Sequence, residues 1–194
     1  MAKNIDESKL MRIKEAAIEL IVEKGYGEAS ISAIAAKADV AAGYLYRFYP
    51  GKRELVTDLL DVKIRNIAGE LEEIMESCNT ISEVIESLVN YFFQLAARQP
   101  DHIRFLYSLI NEYRFSILPG QLKRISDLCS KLLNIGRCTG EISESFSEEE
   151  IFIMAVIYPI GFINVRFKQH FSARPLSETD KQRVVKLCMA ALKG

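Results

Sequence analysis

SISAIAAKADVAAGYLYRFYPGKR, residues 30–53, predicts two short helices joined by a tight turn and followed by the start of a third helix. Ser30 carries the hydroxyl that a helix N-cap requires, so the first helix is expected over 31–38. The turn contains Asp39, and Asp is among the few residues other than Gly that tolerate a left-handed backbone. The second helix is expected over 42–48.

The outward face of the second helix is small, then aromatic, then basic, with Ala42, Gly43, Tyr44 and Arg47 at its outer positions. Small residues allow close approach of another surface, while rings and charges can bind it. Lys52 follows at the first turn of the next helix, where main-chain N–H groups can bind phosphate. Hydroxyls, helix N-termini and basic side chains are the usual phosphate contacts, and this layout predicts a helix-turn-helix whose second helix enters the major groove.

Charge along the chain agrees with this interpretation. Residues 30–53 hold four basic side chains against Asp39, a balance of +3, whereas the whole chain has a net charge of −1. The basic balance therefore coincides with the motif rather than with the protein as a whole. The alternative is that residues 30–53 form a tight helical corner inside an ordinary core, because such corners also occur outside DNA-binding proteins.

Together with the helix before it, this stretch resembles the TetR family of transcriptional regulators, over about a quarter of the chain. Three positions depart from the family pattern: Asp39 replaces Gly, Ala41 replaces a capping Ser, and Ala42 stands where Lys or Arg is common. The residues that carry the resemblance are Ala17, Leu20, Gly25, Ser30, Ile31, Ile34, Ala35, Ala38, Val40, Gly43, Leu45, Tyr46, Tyr49, Lys52 and Leu55.

The resemblance implies a set of DNA contacts in double-stranded operator DNA. Base readout is expected from the start of the second helix, by Ala42, Gly43 and Tyr44. Phosphate contacts are expected from Ser30, Lys37, Tyr46, the main chain of Phe48, and Lys52.

The rest of the chain predicts an all-α fold of about nine helices, with no strand pattern. Residues 8–24 form the first helix, which Gly25 ends, and 51–76 form one long helix without a linker before it. The expected domains are a helix-turn-helix DNA-binding domain, 1–50, and a helical effector-binding and dimerisation domain, 51–194. Thr80 to Glu83 and Ser147 to Glu150 have the spacing of capping boxes.

The last two helices carry more apolar residues than one core face can bury, and residues 148–170 are apolar on nearly all sides as far as Ile163. In the TetR family the corresponding helices pair with those of a second copy. A two-fold dimer would also place two recognition helices in successive major grooves, ~34–36 Å apart. We therefore expect a homodimer through residues 148–192.

Candidate effector-binding residues lie on the helices that, in the TetR family, enclose an inducer cavity. Aromatic residues with a few polar anchors are typical of a small-molecule pocket, although the same spacing is also typical of plain core. Arg104, Glu112 and Asn164 are candidate polar anchors. The candidate ligand-binding residues are Phe92, Phe93, Arg104, Phe105, Tyr107, Tyr113, Met154, Tyr158 and Phe162. The effector is expected to be an apolar or aromatic small molecule.

No metal site, cofactor or catalytic residue is predicted. The four cysteines have no C-x-x-C spacing and the two histidines are isolated, so free thiols are expected, with a redox-sensing pair as the alternative. No nucleophile–base pair, Glu-x-x-His motif or phosphate loop supports an all-α enzyme. A helical protein that binds another protein through residues 30–53 is a further alternative, and the basic balance of that stretch disfavours it.

The N-terminal residues lack the apolar core of a signal peptide. The longest apolar run, 151–163, has 13 residues and is short of the ~20 that span a bilayer. A cytoplasmic protein is therefore expected, and the resemblance to the TetR family implies a transcriptional regulator, a repressor that a small-molecule effector releases from DNA.

Overall fold

The computed structural model describes residues 6–171 and 174–193, and over these ranges the chain is all-α, with no strand. This confirms the predicted fold class. The nine helices of the described ranges are α1 (Glu7–Glu28), α2 (Ile31–Lys37), α3 (Ala42–Tyr46), α4 (Lys52–Ser77), α5 (Ile81–Arg98), α6 (Pro100–Ile110), α7 (Pro119–Cys138), α8 (Glu148–Phe167) and α9 (Glu178–Lys193).

The chain divides into two compact units. One, here called the head unit, comprises residues 6–63 and Arg104–Ser116, and the other, the body unit, comprises Ile64–Ile103 and residues 117–193. Helices α4 and α6 each contribute residues to both units. The domain boundary expected between residues 50 and 51 remains a prediction.

In the head unit, α1 begins at the N-cap Asp6, whose side chain accepts a hydrogen bond from the main chain of Lys9. Gly25 has φ 82° and ψ 161°, so the regular helix is interrupted there, as predicted, and a last helical turn follows to Glu28. Only Gly adopts such a backbone without steric cost. Helices α1 to α4 share a core of apolar side chains that are 0–1% exposed, including Ile13, Ala17, Ile34, Leu45 and Leu55.

In the body unit, both predicted capping boxes are present. The Thr80 hydroxyl accepts from the main chain of Glu83, whose carboxylate accepts from the main chain of Thr80 at the start of α5. Ser147 and Glu150 repeat the arrangement at the start of α8. These reciprocal bonds satisfy main-chain donors that would otherwise have no partner at a helix start. The buried face of α5 is wholly apolar and consists of Ile81, Val84, Ile85, Leu88, Val89, Phe92 and Ala96.

Helix α8 continues past Pro159 without ending there. The segment Ile153–Ile157 is a π-helical turn, and the Tyr158 N–H donates to the carbonyl of Ile153, five residues back. A proline within a helix lacks an N–H and crowds the carbonyl four residues before it, which here belongs to Ala155. The wider turn just before Pro159 therefore lets the helix proceed through Phe167.

Asp180, in the first turn of α9, is fully buried, and its carboxylate accepts five hydrogen bonds from three residues. Its carboxylate accepts from Arg166 at 2.9 Å, from both terminal nitrogens of Arg174 at 2.7 and 2.9 Å, and from the hydroxyl and N–H of Ser177. Burial raises the pKa of Asp180, but the hydrogen bonds from Ser177 and Arg174 and the charge of Arg166 outweigh it and lower the pKa below its usual value. This cluster ties the end of α8 to the start of α9.

One helix is long and apolar enough to cross a membrane by length and composition. Helix α8 has 20 residues, and its most apolar 18-residue window has a mean hydropathy of 1.6 and is 33% buried in the protein. The sequence prediction had counted only the uninterrupted apolar run and so found no such segment. A single helix of this kind is a weak indication of a membrane span, because core helices of soluble proteins meet the same criteria.

Candidate nucleic-acid interface

The turn between α2 and α3 has the geometry that the sequence predicted. The Ser30 hydroxyl caps α2 by accepting from the N–H of Ala33 at 3.1 Å. Asp39 has φ 54°, in the left-handed region, and the Val40 N–H then returns to the carbonyl of Ala35 at 3.0 Å. Because Val40 is bonded back to α2, the turn fixes the direction in which α3 starts.

Helix α3 is shorter than predicted and ends at Tyr46 instead of Phe48. Its N-cap, Ala41, makes no side-chain capping bond, as its methyl side chain requires. Beyond Tyr46 the chain continues in tight turns, in which the N–H of Phe48 donates to the carbonyl of Leu45 at 3.0 Å. Fully buried Leu45 anchors this short helix to the core.

Three of the predicted DNA contacts on α3 are accessible to different degrees. Gly43 is exposed, and a Cβ built on it would meet nothing within 4 Å. Tyr46 is 52% exposed, and Ala42 is partly exposed. Because Ala42 and Gly43 are small, another molecule could approach the main chain of α3 closely here, beside the ring of Tyr46.

Tyr44 is partly buried, although the sequence placed it on the outward face. Its ring packs against that of Phe48, with centroids 5.2 Å apart, and the Nζ atom of Lys9 lies 5.5 Å from its centroid. The hydroxyl is buried and has no hydrogen-bond partner among the described residues. Tyr44 is therefore a packed part of the head unit as well as a neighbour of its exposed face.

Lys37 is held by two carboxylates of α1. Its Nζ atom lies 3.0 Å from Glu19 and 3.1 Å from Glu23. Hydrogen bonds from Lys37 to these two groups raise its pKa above the usual value. A DNA phosphate would have to share or displace these partners to bind Lys37.

Lys52 is also engaged within the head unit. Its ammonium donates to the main-chain carbonyls of Tyr26 and Gly27 and lies 4.5 Å from the centroid of the Tyr26 ring. Burial lowers the pKa of Lys52 below its usual value. An ammonium has three donors, so one N–H of Lys52 remains for a further acceptor.

Tyr49, expected to point inward, links the end of the motif to α1 and α4. Its hydroxyl donates to Asp58 at 2.7 Å, and Asp58 also lies 3.0 Å from the Nζ atom of Lys14. Burial and the bond to Asp58 raise the pKa of Tyr49, so the phenol stays protonated at neutral pH. The network orients the segment between α3 and α4.

Arg47 is a basic residue that the sequence placed on the outward face but did not include among the DNA contacts. It is exposed at the C-cap of α3, and its guanidinium lies 5.8 Å from the Tyr44 centroid and 5.9 Å from the Phe48 centroid. The signal that could have found it is its position, since it lies within the predicted second helix, 42–48, in a stretch with a basic balance of +3.

The candidate effector-binding residues fall in both units. Phe92, Phe93, Met154, Tyr158 and Phe162 belong to the body unit, and Arg104, Phe105, Tyr107 and Tyr113 belong to the head unit. Phe92 and Phe105 are fully buried, while Tyr113 is fully exposed and so lines no enclosed space in the structure.

Within the body unit, the rings of Phe93 and Phe162 stack with centroids 6.5 Å apart. Asn164, a candidate polar anchor, is buried and donates its side-chain N–H to the carbonyl of Ile160 at 2.8 Å. A small surface pocket of about 130 Å³ is lined by Phe162, Val165, Arg166 and Phe171.

Residues 13–59 match the sequence profile described as bacterial regulatory proteins, tetR family. Over 143 residues the chain is also 30% identical to the fatty acid metabolism regulator protein of Bacillus subtilis (strain 168), a match that spans 74% of this chain and 71% of that relative. The chain belongs to the TetR family. It is therefore a DNA-binding transcriptional regulator, and the matched region includes all eight predicted DNA contacts.

Solved TetR-family structures share the fold along nearly the whole chain. A TetR family transcription regulator from Marinobacter aquaeolei VT8 superposes with a TM-score of 0.78 at 15% identity, over 96% of each chain. The transcriptional regulator FadR from Bacillus subtilis, in complex with stearoyl-CoA, superposes with a TM-score of 0.73 at 23% identity, over 93% of this chain and 98% of that one.

Proposed function

We propose that this TetR-family protein is a cytoplasmic repressor that binds operator DNA as a homodimer and leaves it when a small apolar effector binds the body unit. The observation that carries the DNA-binding part is the exposed surface of α3, presented by a capped α2 and a left-handed turn at Asp39. In helix-turn-helix proteins the second helix of the motif enters the major groove.

We propose the eight predicted residues as the DNA contact set. Exposed Gly43 and Tyr46 need no rearrangement to meet DNA. Base readout falls to Ala42, Gly43 and Tyr44, and phosphate contacts fall to Ser30, Lys37, Tyr46, the main chain of Phe48, and Lys52. Lys52 would use its remaining donor for phosphate while it keeps its bonds to α1.

The homodimer is proposed to form through α8 and α9, within residues 148–192. On these two helices Ile153 is 38%, Val165 40% and Leu187 55% exposed, and Phe171, in the segment between them, is 91% exposed. Exposed apolar patches mark interaction sites. A second copy would bury these side chains and would supply the second recognition helix that a two-fold operator requires.

The effector is proposed to carry a long acyl chain. Two relatives point to this class: one is a fatty acid metabolism regulator, and the other was solved in complex with stearoyl-CoA. The aromatic side chains of the body unit, such as Phe93 and Phe162, offer the apolar lining that such a chain needs. The effector would lower operator affinity at most by the factor by which it binds the released conformation more tightly than the DNA-bound conformation.

The experiment is footprinting of the purified protein on the DNA that flanks its own coding region, followed by addition of acyl-CoA. A protected two-fold site with half-sites one or more helical turns apart supports the proposal. Stearoyl-CoA should then dissociate the complex, whereas free CoA, which lacks the acyl chain, should not. Equal effects of both compounds would contradict the proposal that the effector carries an acyl chain. The footprint tests DNA binding independently of the effector.

A further inference from the structure

We propose that Arg47 is a DNA phosphate contact of the head unit, held in position by the rings of Tyr44 and Phe48. This inference rests on the proposed DNA binding and adds to it a residue outside the predicted contact set. It also assigns Tyr44 a second task, as the support for this arginine.

The geometry around Arg47 is that of a cation on an aromatic platform. Its guanidinium carbon lies 5.8 Å from the centroid of Tyr44 and 5.9 Å from that of Phe48, and the two rings are themselves in contact, 5.2 Å apart. A cation within about 6 Å of a ring face is attracted by the ring quadrupole. The two rings therefore restrict the side chain before any ligand arrives, which reduces the entropy lost on binding.

Arg47 differs from Lys37, Arg12 and Lys52 in its electrostatic partners. Lys37 is paired with Glu19 and Glu23, and Arg12 lies 3.6 Å from Asp39. Lys52 is bonded to two main-chain carbonyls. Within the described ranges Arg47 has no ion pair and no side-chain hydrogen bond, so its donors are satisfied by solvent.

The donors of Arg47 suit an anion with two adjacent oxygens. A guanidinium is planar with five N–H donors at its edge, and its attraction to aromatic rings engages none of them in a hydrogen bond. That edge matches a phosphate through two parallel hydrogen bonds. A phosphate can therefore bind Arg47 without first breaking a hydrogen bond or an ion pair within the protein.

The position of Arg47 favours phosphate over a base edge. It lies at the C-cap of α3, whereas the residues that read bases in a helix-turn-helix lie toward the N-terminus of the recognition helix. Ala42 and Gly43 occupy that N-terminal end here. Arg47 is thus placed where the recognition helix leaves the groove and the DNA backbone passes.

The test is a salt titration of DNA binding with the full chain, on operator DNA and on random-sequence DNA. Arg47→Ala should weaken binding to both by roughly tenfold or more, since a hydrogen-bonded charge pair is lost. It should also make the slope of log K against log salt shallower by about 0.9, the value for one phosphate contact. Arg47→Lys keeps the charge and should restore most of the slope.

One further variant makes the result specific to this site. Lys123→Ala removes an exposed positive charge from α7, in the body unit, and should leave both affinity and slope unchanged.

The outcomes separate this inference from the proposed function. If the wild-type protein shows no preference for operator DNA, the proposed function fails. If the wild type is specific but Arg47→Ala keeps the wild-type slope, Arg47 is not a phosphate contact. A loss of affinity for the operator alone, with random DNA unaffected, would assign Arg47 to base reading and would also overturn the inference.

Discussion

The ammonium of Lys52 donates a hydrogen bond of 3.1 Å to the main-chain carbonyl of Gly27, and this bond joins the first residue of α4 to the last turn of α1. Helix α1 ends at Glu28, so the carbonyls of Tyr26 and Gly27 have no helical N–H four residues further on from which to accept a hydrogen bond. Lys52 satisfies them. Its position in the family motif predicted a phosphate contact, and its geometry gives it a structural task in addition.

Replacing Lys52 by Met should therefore destabilise the protein as well as weaken DNA binding. The hydrocarbon stem is kept, but the bonds to the carbonyls of Tyr26 and Gly27 are lost, at about 1–3 kcal/mol. Thermal unfolding followed by circular dichroism measures the change. Lys123→Met, on the exposed surface of α7, is the control and should leave the melting temperature within a degree or two. A wild-type melting temperature for Lys52→Met would contradict the structural role.

Much of the head unit could be predicted because local rules decide it. Ser30 as the cap of α2 and Asp39 as a left-handed residue follow from the chemistry of single residues, and the structure confirms both. The internal partners of Lys37 and Lys52 could not be predicted, because Glu19 and Gly27 are brought to them only by tertiary packing.

In the body unit, too, local features could be predicted from the sequence, whereas features that depend on tertiary packing could not. The capping boxes at Thr80 and Ser147 were readable from their spacing. The π-helical turn before Pro159 was not, because whether a proline breaks a helix depends on how the neighbouring helices hold it. The exposure of Tyr113 could not be predicted from the sequence either, because an aromatic residue next to a helix end is equally compatible with a core or a surface position.

Asp180→Asn should destabilise the body unit by about 3 kcal/mol, because it removes the charge that compensates two arginines. Chemical denaturation at pH 7 measures this loss. A matched control is Glu178→Gln, an exposed acidic residue in the same turn of α9, which should change the unfolding free energy by less than about 0.5 kcal/mol.

The same carboxylate makes stability depend on pH in a defined direction. Since the pKa of Asp180 is lower in the folded protein than in the unfolded chain, its contribution is complete above the usual aspartate pKa of about 3.9. It is lost as the pH falls through the lowered pKa. Wild-type stability should therefore fall more steeply than that of Asp180→Asn below about pH 4, and parallel curves would refute this assignment.

Two helical glycines should respond in opposite ways to alanine. At Gly136 in α7, a Cβ would lie 2.5 Å from Cγ1 and 3.0 Å from Cβ of buried Ile142, so Gly136→Ala should cost about 1–3 kcal/mol. At Gly69 in α4, a Cβ meets nothing within 4 Å, so Gly69→Ala should stabilise by about 0.5–1 kcal/mol. Denaturant titrations of the two variants measure the change in the free energy of unfolding that each substitution causes. Changes of the same sign would show that the packing around Gly136 is not as described.

Leu187→Asp should convert the proposed dimer into a monomer. The residue is 55% exposed on α9, and burial of a carboxylate in an apolar dimer interface is strongly unfavourable. Leu122→Asp in α7 is a matched control, with 57% exposure but outside α8 and α9, and it should remain dimeric. Light scattering at micromolar concentration distinguishes the two. If both variants stay dimeric, or both become monomers, the interface is not the one proposed.

The central claim is sequence-specific DNA binding by the head unit, and competition between operator and random DNA at physiological salt tests it most directly. A fragment that contains the operator identified by footprinting is titrated with the wild-type dimer in the presence of increasing random-sequence DNA. The account predicts a preference of ~10³-fold or more for the operator. Equal affinity for both DNAs, or binding that disappears with a modest rise in salt, would contradict it.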